Sequence, residues 1–323
     1  MNGKIAFEEH WSIMETLEDA HGFVGGSSHW DTFQRQILDL GDIRLAEMDK
    51  NGIEFTIVSL NAPAVQAVLD TKKAIDLARR ANDKLAELVA KRPDRFAGFA
   101  ALPMQDPEAA AAELGRCIKD FGFKGALVNG FSQKDKPDPS IYYDIPAYRG
   151  FWGEVSKLDV PFYLHPRGNR EASYEGHPWL TSSPWGFGAD TALHALRLCG
   201  SGLFDDYPNL KIIIGHMGEG IPYSLWRIDA RMRFSPRGYT GKRYLGEYFL
   251  ENFYITTSGN FSTPTFQCAL SVVGIDRILF SVDYPFEDTN DAASWFDSLQ
   301  MAESDKLKIA RTNAIKLFDL KLK

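Results

Sequence analysis

Cysteine is scarce in this chain of 323 residues: there are three, Cys117, Cys199 and Cys268, scattered and with no CxxC pair. An odd, dispersed set reads as reduced core thiols, so the expected compartment is the cytoplasm. Long apolar runs are missing as well. No segment approaches the roughly 20 apolar residues of a membrane span, and no basic-then-apolar region opens the sequence, so no membrane association is expected. Positive charge is in deficit, with 36 Lys and Arg against 43 Asp and Glu for a formal net charge of −7, and no basic cluster offsets it. That argues against nucleic acid as a partner. No glycine-rich phosphate loop follows the first strand-like segment, which counts against the rival fold, a doubly wound open sheet.

What is present is an alternation of strand-like and helix-like segments from one end to the other. Strands are expected over 4–7, 53–60, 96–102, 124–128, 160–165, 210–215, 253–257 and 278–282. Helical periodicity or capping chemistry marks 43–48, 71–91, 107–122, 148–158, 189–203, 221–233, 263–272, 291–299 and 305–318. Asp106-Pro107, for example, supplies an N-cap and a first-turn proline. Eight such units predict an α/β protein with a single (β/α)8 barrel occupying residues 1–323, because no linker or composition break divides the chain. Two connections, 11–30 and 167–187, are long enough to shape an active site at the C-terminal face of such a barrel.

Four of the strands end in residues of metal-binding type. Glu8-Glu9-His10 follows the first, His165 ends Val160-Pro-Phe-Tyr-Leu-His165, His216 follows Leu210-Lys-Ile-Ile-Ile-Gly215, and Asp283 closes Arg277-Ile-Leu-Phe-Ser-Val-Asp283. Strict strand alternation sets Ile5, Phe7 and Glu9 on one face and Ala6, Glu8 and His10 on the other. A carboxylate and an imidazole two apart can then share one divalent cation. Glu9 is expected to face away from the lumen in a structural ion pair.

This pattern, ExH after strand one, His after strands five and six and Asp after strand eight, resembles the metal-dependent amidohydrolase superfamily. Within it, Gly3-Lys-Ile-Ala-Phe-Glu-Glu-His10, Phe162-Tyr-Leu-His-Pro-Arg167, Gly215-His-Met-Gly-Glu219, Thr256-Thr-Ser-Gly-Asn260 and Ile278-Leu-Phe-Ser-Val-Asp-Tyr-Pro-Phe-Glu287 are similar to the hydroxybenzoate decarboxylases. The resemblance runs end to end. It implies one divalent ion, Zn²⁺ or Mn²⁺, held by Glu8, His10, His165 and Asp283, with no organic cofactor. It implies His216 and Glu219 as a pair beside the substrate and Phe23, Asn129 and Arg227 in or near the substrate pocket. It also implies a homodimer or homotetramer. The superfamily's binuclear hydrolases carry a bridging lysine where this chain has Asn129, which cannot form the carbamate, so one metal is expected.

The implied reaction is non-oxidative, reversible decarboxylation of an ortho-hydroxybenzoate. The branch acting on 2,6-dihydroxybenzoate matches best, because His10 stands where the salicylate and 2,3-dihydroxybenzoate relatives often carry Ala. Those two substrates are the alternatives, and hydrolysis of a lactone or cyclic amide is the alternative of another class. Two departures, Tyr284 after Asp283 and Gly168-Asn169-Arg170 after Arg167, fall on the pocket wall. Losing CO₂ without an electron-sink cofactor requires a proton at the ring carbon, and Asp283 suits that role if a dry pocket raises its pKa. His194 is expected to pack or lie at the surface, His21 and His29 to be solvated, and His177 to stabilise its loop.

Overall fold

The computed structural model describes residues 1–24, 27–168, 174–239 and 241–322, with the backbone alone at 23, 27 and 28. Three parallel strands, β1 (Lys4–Trp11), β2 (Ile53–Leu60) and β3 (Phe96–Gly98), form one sheet in chain order. A second, five-stranded parallel sheet joins β4 (Ala126–Asn129), β7 (Phe162–His165), β8 (Ile212–Ile214), β9 (Phe253–Thr256) and β10 (Ile278–Leu279). Single bridges, Ala100 to Ala126 and Glu9 to Tyr284, join the two sheets at both seams. The result is the expected closed eight-stranded parallel barrel. Between β4 and β7 an antiparallel hairpin is inserted, β5 (Ser132–Lys134) with β6 (Lys136–Ile141).

Helices α1 (Ser27–Leu38), α2 (Asp42–Lys50), α3 (Thr71–Val89), α4 (Pro107–Phe121), α5 (Arg149–Leu158), α6 (Gly186–Gly200), α7 (Leu203–Asp206), α8 (Ile221–Phe234), α9 (Leu245–Asn252), α10 (Thr263–Val273) and α11 (Thr289–Ser298) surround the barrel. Local chemistry fixes several ends. The Asp106 carboxylate accepts from the amides of Glu108 and Ala109, and Gly122 ends α4 at φ 67°. The connection expected over 11–30 contains a 3₁₀ helix, Met14–Phe23, and the start of α1. The helix expected over 305–318 is broken into α12 (Glu303–Leu307), a π segment (Lys308–Thr312) and α13 (Asn313–Phe318). This break sends Leu317, Phe318 and Leu320 into one apolar cluster with the inward residues Ile5, Phe7, Phe55, Ile57, Phe99, Leu127, Tyr163, Ile213 and Leu279. Among the described residues no helix is long and apolar enough to cross a membrane.

Strand β1 corrects the alternation expected for it. Its register with β2 slips between Ala6 and Glu9, three residues on β1 facing two on β2, which is a β-bulge. The amides of Phe7 and Glu8 both point at Ser281 Oγ, at 3.0 and 2.7 Å. Phe7 and Glu8 consequently share a neighbour instead of facing opposite ways. The Phe7 ring packs edge-on against Tyr163, with centroids 6.3 Å apart, and the Glu8 carboxylate accepts from the same residue's hydroxyl. After the bulge, normal alternation carries His10 to the side of Glu8 and Glu9 to the other.

Candidate metal centre and active site

The barrel's C-terminal rim gathers Glu8, His10, His165 and Asp283, one donor atom from each lying within 4.8 Å of all the others. Strand β1 delivers Glu8 and His10 through its bulge. His165 ends β7, and its register partner on β4 is Asn129. Asp283 is brought alongside β1 by two backbone bonds, Asp283 N to Glu8 O at 2.9 Å and His10 N to Tyr284 O at 2.6 Å. The expected strand over 278–282 is shorter in its ladder because the amides after Leu279 donate elsewhere, Phe280 N to Ile309 O at 3.0 Å, Ser281 N to Thr257 Oγ1 at 3.0 Å and Val282 N to the Glu9 carboxylate at 2.9 Å. Glu9 therefore braces backbone and Ser281 Oγ (3.0 Å) through hydrogen bonds, where an ion pair was expected. Burial pushes its pKa up to about 8.

The donor set fits a cation. Glu8 Oε1, His10 Nε2 and Asp283 Oδ1 are buried polar atoms that complete no well-formed hydrogen bond, His10 Nε2 and Asp283 Oδ1 merely facing each other at 3.0 Å, a situation that costs free energy unless something polar is shared among them. Two carboxylates and two imidazoles are borderline-hard donors of the kind that suits Zn²⁺ or Mn²⁺. Burial, reinforced by the neighbouring His10 imidazole, holds His165 well below the ordinary imidazole range, which favours the neutral ring with a lone pair to give. Ser59 Oγ lies 3.4 Å from His10 Nδ1 and orients that ring. The cluster suits one metal ion.

Beside it stands His216, which follows β8. His216, Met217 and Glu219 adopt left-handed backbone, with φ of 50°, 59° and 53°. Non-glycine residues there are uncommon, and such conformations persist where surrounding structure imposes them. The turn folds Glu219 back so that its Oε1 lies 2.7 Å from His216 Nδ1. His216 Nε2 lies 3.6 Å from Asp283 Oδ2 and 3.8 Å from Glu8 Oε1. Burial alone would lower the His216 pKa, but Glu219, Glu8 and Asp283 together hold it well above the ordinary imidazole range. Gly259, at φ 59°, makes room for this ring: a Cβ there would sit 2.6 Å from His216 Cδ2.

Asp283 departs from expectation in the direction of its pKa. Burial pushes it up, as a dry pocket should, but the adjoining His10 and His216 imidazoles outweigh burial and hold it below the ordinary carboxylate range.

A cavity of about 1050 Å³ opens over the cluster and is lined by His165, His216, Glu219 and Asp283. Phe286, which packs edge-on against His10 with centroids 5.5 Å apart, forms part of its wall. Arg227 lines its rim from an exposed position on α8. Asn129 is not among the lining residues. It is buried, and its Nδ2 donates to Asn61 O at 3.1 Å. The side chain of Phe23 lies outside the described residues, as do Asn169 and Arg170. His194 is fully buried and its Nε2 accepts from Tyr143 N at 3.0 Å, a packing role. His177 and His21 are exposed and lie edge-on to Trp179 and Trp30.

Several residues of this site escape a search for ligands. Tyr163, Thr256 and Ser258 all reach Glu8, while Asn260 and Glu287 line the cavity. Tyr163 precedes His165 by two, the spacing of side chains that share a face, and that signal is present in the sequence. Nothing local marks Ser281 as the acceptor that shapes the bulge.

The sequence matches the amidohydrolase family over residues 16–320. A γ-resorcylate decarboxylase from a Rhizobium species is 58% identical over 326 residues, spanning 99% of each chain. A crystal structure of 2,6-dihydroxybenzoate decarboxylase complexed with 2,6-dihydroxybenzoate superimposes with a TM-score of 0.97 at 57% identity, covering 99% of this chain and 100% of that one. A dihydroxybenzoic acid decarboxylase from a Polaromonas species, with bound manganese and the inhibitor 2-nitroresorcinol, gives a TM-score of 0.97 at 55% identity, covering 100% of this chain and 98% of that one.

Proposed function

The chain belongs to the amidohydrolase family, and from that premise we propose that it is a carboxy-lyase converting 2,6-dihydroxybenzoate (γ-resorcylate) reversibly to resorcinol and CO₂. The observation that carries this is the convergence of Glu8, His10, His165 and Asp283 beside the His216–Glu219 pair at the base of a cavity. Glu8, His10, His165 and Asp283 are the residues that hold the ion. When bound there, a divalent cation supplies a Lewis-acid anchor for the substrate's carboxylate and ortho-hydroxyl oxygens.

In the forward direction a C–H bond forms at the ring carbon bearing the carboxylate, the C–C bond breaks, and its electron pair stays with the ring as CO₂ leaves. The ortho-hydroxyls donate electron density that makes this carbon basic. Asp283 delivers the proton. Its own affinity for one is low, so His216, 3.6 Å away, serves as the reservoir that supplies it. Glu219 keeps His216 charged and orients its ring by accepting from Nδ1, leaving the Nε2 proton as the one to be passed on. Phe286 offers an apolar face to the ring, and Arg227 attracts the anionic substrate at the rim. On the strength of the family resemblance we place Phe23 in or near the substrate pocket and Asn129 near it, outside the cavity lining. The domain is proposed to run over 1–323, in a cytoplasmic homodimer or homotetramer without nucleic-acid or membrane partners.

The test is a substrate panel on protein of known metal content. Resorcinol and CO₂ in equal amounts from 2,6-dihydroxybenzoate, faster than turnover of 2,3-dihydroxybenzoate or salicylate, is the expected result. A ring-opened acid from a lactone or cyclic amide, with no CO₂ from any hydroxybenzoate, contradicts the assignment.

A further inference from the structure

Glu8 is held asymmetrically. Its Oε2 accepts from three hydroxyls, those of Tyr163, Thr256 (3.1 Å) and Ser258, while its Oε1 has no hydrogen-bond partner and is buried. Two strands supply the hydroxyls: Tyr163 lies on β7, two residues before His165, while Thr256 ends β9 and Ser258 follows it. Their oxygens crowd round that one acceptor, Tyr163 Oη 3.0 Å from Thr256 Oγ1 and Thr256 Oγ1 2.6 Å from Ser258 Oγ, with each hydroxyl's single proton directed at Glu8 Oε2. All are fully buried. Space for the carboxylate exists because residue 215 lacks a side chain: a Cβ on Gly215 would sit 2.7 Å from Glu8 Oε2, 2.9 Å from Oε1 and 3.1 Å from Ser258 Oγ.

We propose that Tyr163, Thr256 and Ser258 are positioning residues for metal capture, a hydroxyl cage that commits Glu8 Oε2 and presents Oε1 as a single donor to the ion. A carboxylate oxygen has two lone pairs, so three donors saturate Oε2 and remove it from competition. Without them the buried carboxylate is free to rotate and to engage with both oxygens, or to turn toward His216. The cage also reaches the catalytic side: Ser258 Oγ accepts from His216 N at 3.4 Å, at the start of the left-handed turn. Metal ligand and proton reservoir thus share one serine. The Tyr163 ring is fixed by edge-on packing against Phe7 and Phe99, so its hydroxyl arrives pre-oriented.

This inference rests on the reading of Glu8 as a metal ligand, and its test separates the two. Full-length protein stripped with a chelator is titrated with Mn²⁺ alone, and free Mn²⁺ is followed by electron paramagnetic resonance. Tyr163→Phe, Thr256→Val and Ser258→Ala, which delete hydroxyls with little change of shape, are each expected to weaken Mn²⁺ binding about 10–100-fold, the usual cost of losing a partner of a metal ligand. Thr256→Ser, which restores the hydroxyl, is expected to bind within a few-fold of wild type. Thermal midpoints of the stripped proteins are measured in parallel, since a merely structural hydroxyl lowers these and leaves Mn²⁺ affinity unchanged. If one variant does not fold, the other two decide. Wild type that takes up no Mn²⁺ overturns the metal reading itself. Wild-type affinity in the folded hydroxyl-deletion variants, with binding lost in Glu8→Gln, overturns the cage and leaves the metal reading standing.

Discussion

His216 Nδ1 lies 2.7 Å from Glu219 Oε1, across a turn whose left-handed backbone serves to bring the two together. Glu219 is the foremost influence holding His216 protonated against burial. In the proposed mechanism protonated His216 is the proton reservoir, so activity is expected to fall as pH rises through its pKa. Glu219→Gln lowers that pKa, and the alkaline limb of the kcat–pH profile moves to lower pH. At neutral pH the rate drops roughly tenfold or more. A limb that stays in place removes Glu219 from this role.

Asp283→Asn keeps the shape and much of the metal affinity of the site while losing the proton. Turnover of 2,6-dihydroxybenzoate is expected to fall by about 10²–10⁴-fold, the usual contribution of a general acid. Substrate affinity, measured with bound metal quantified in the same sample, stays near wild type, because anchoring the substrate needs no proton from residue 283. A variant that keeps both metal and activity moves the acid role to His216.

His194 gives the fold a pH dependence distinct from that of the active site. Burial first, and then the charge of Arg197, push its pKa down to about 3. A depressed imidazole contributes stability that is present above its unfolded pKa of about 6.5 and is lost as pH falls toward 3. Within that window its share of the slope approaches 1.4 kcal/mol per pH unit. His194→Asn is expected to flatten denaturant-measured stability between pH 6 and 4 while turnover at neutral pH stays within a few-fold of wild type. An unchanged slope contradicts this.

Self-association is expected through α8, where Tyr223, Trp226 and Phe234 are 86%, 78% and 78% exposed. They recur at spacings that place them along one side of the helix, and exposed aromatics of this kind are enriched at protein contacts. Light scattering is expected to return the mass of two or four chains at micromolar concentration, and Trp226→Glu to shift it toward one. A wild-type mass of one chain ends the idea.

The barrel was legible in the sequence because its signals are local. Apolar runs end in turn residues, Asp106-Pro107 and Gly122 bound a helix, and eight repeats of that grammar permit few other folds. The four ligand-type residues were legible for the same reason, since each stands at or just past the end of a short apolar run. The route by which Glu8 reaches the lumen was not. Strict alternation put Glu8 and His10 on one face, which is right, and Phe7 on the opposite face, which is wrong. The cause lies 274 residues away, in Ser281 Oγ capturing two successive amides of β1. The Asp283 pKa misled in a similar way: burial is readable from an apolar run, but the two imidazoles that reverse its effect come from β1 and β8. The hairpin β5–β6 went unseen because Lys136-Pro-Asp-Pro139 carries two prolines, a pattern that demotes a segment as strand unless it lies at an edge.

Stoichiometric reconstitution tests the central claim, one catalytic metal held by Glu8, His10, His165 and Asp283, most directly. Chelator-stripped protein is titrated with Mn²⁺ or Zn²⁺ while CO₂ release from 2,6-dihydroxybenzoate is followed. The account predicts negligible release from stripped protein, a linear rise, and a sharp break at one ion per chain. Full activity in the stripped protein, or a break at two ions per chain, contradicts it.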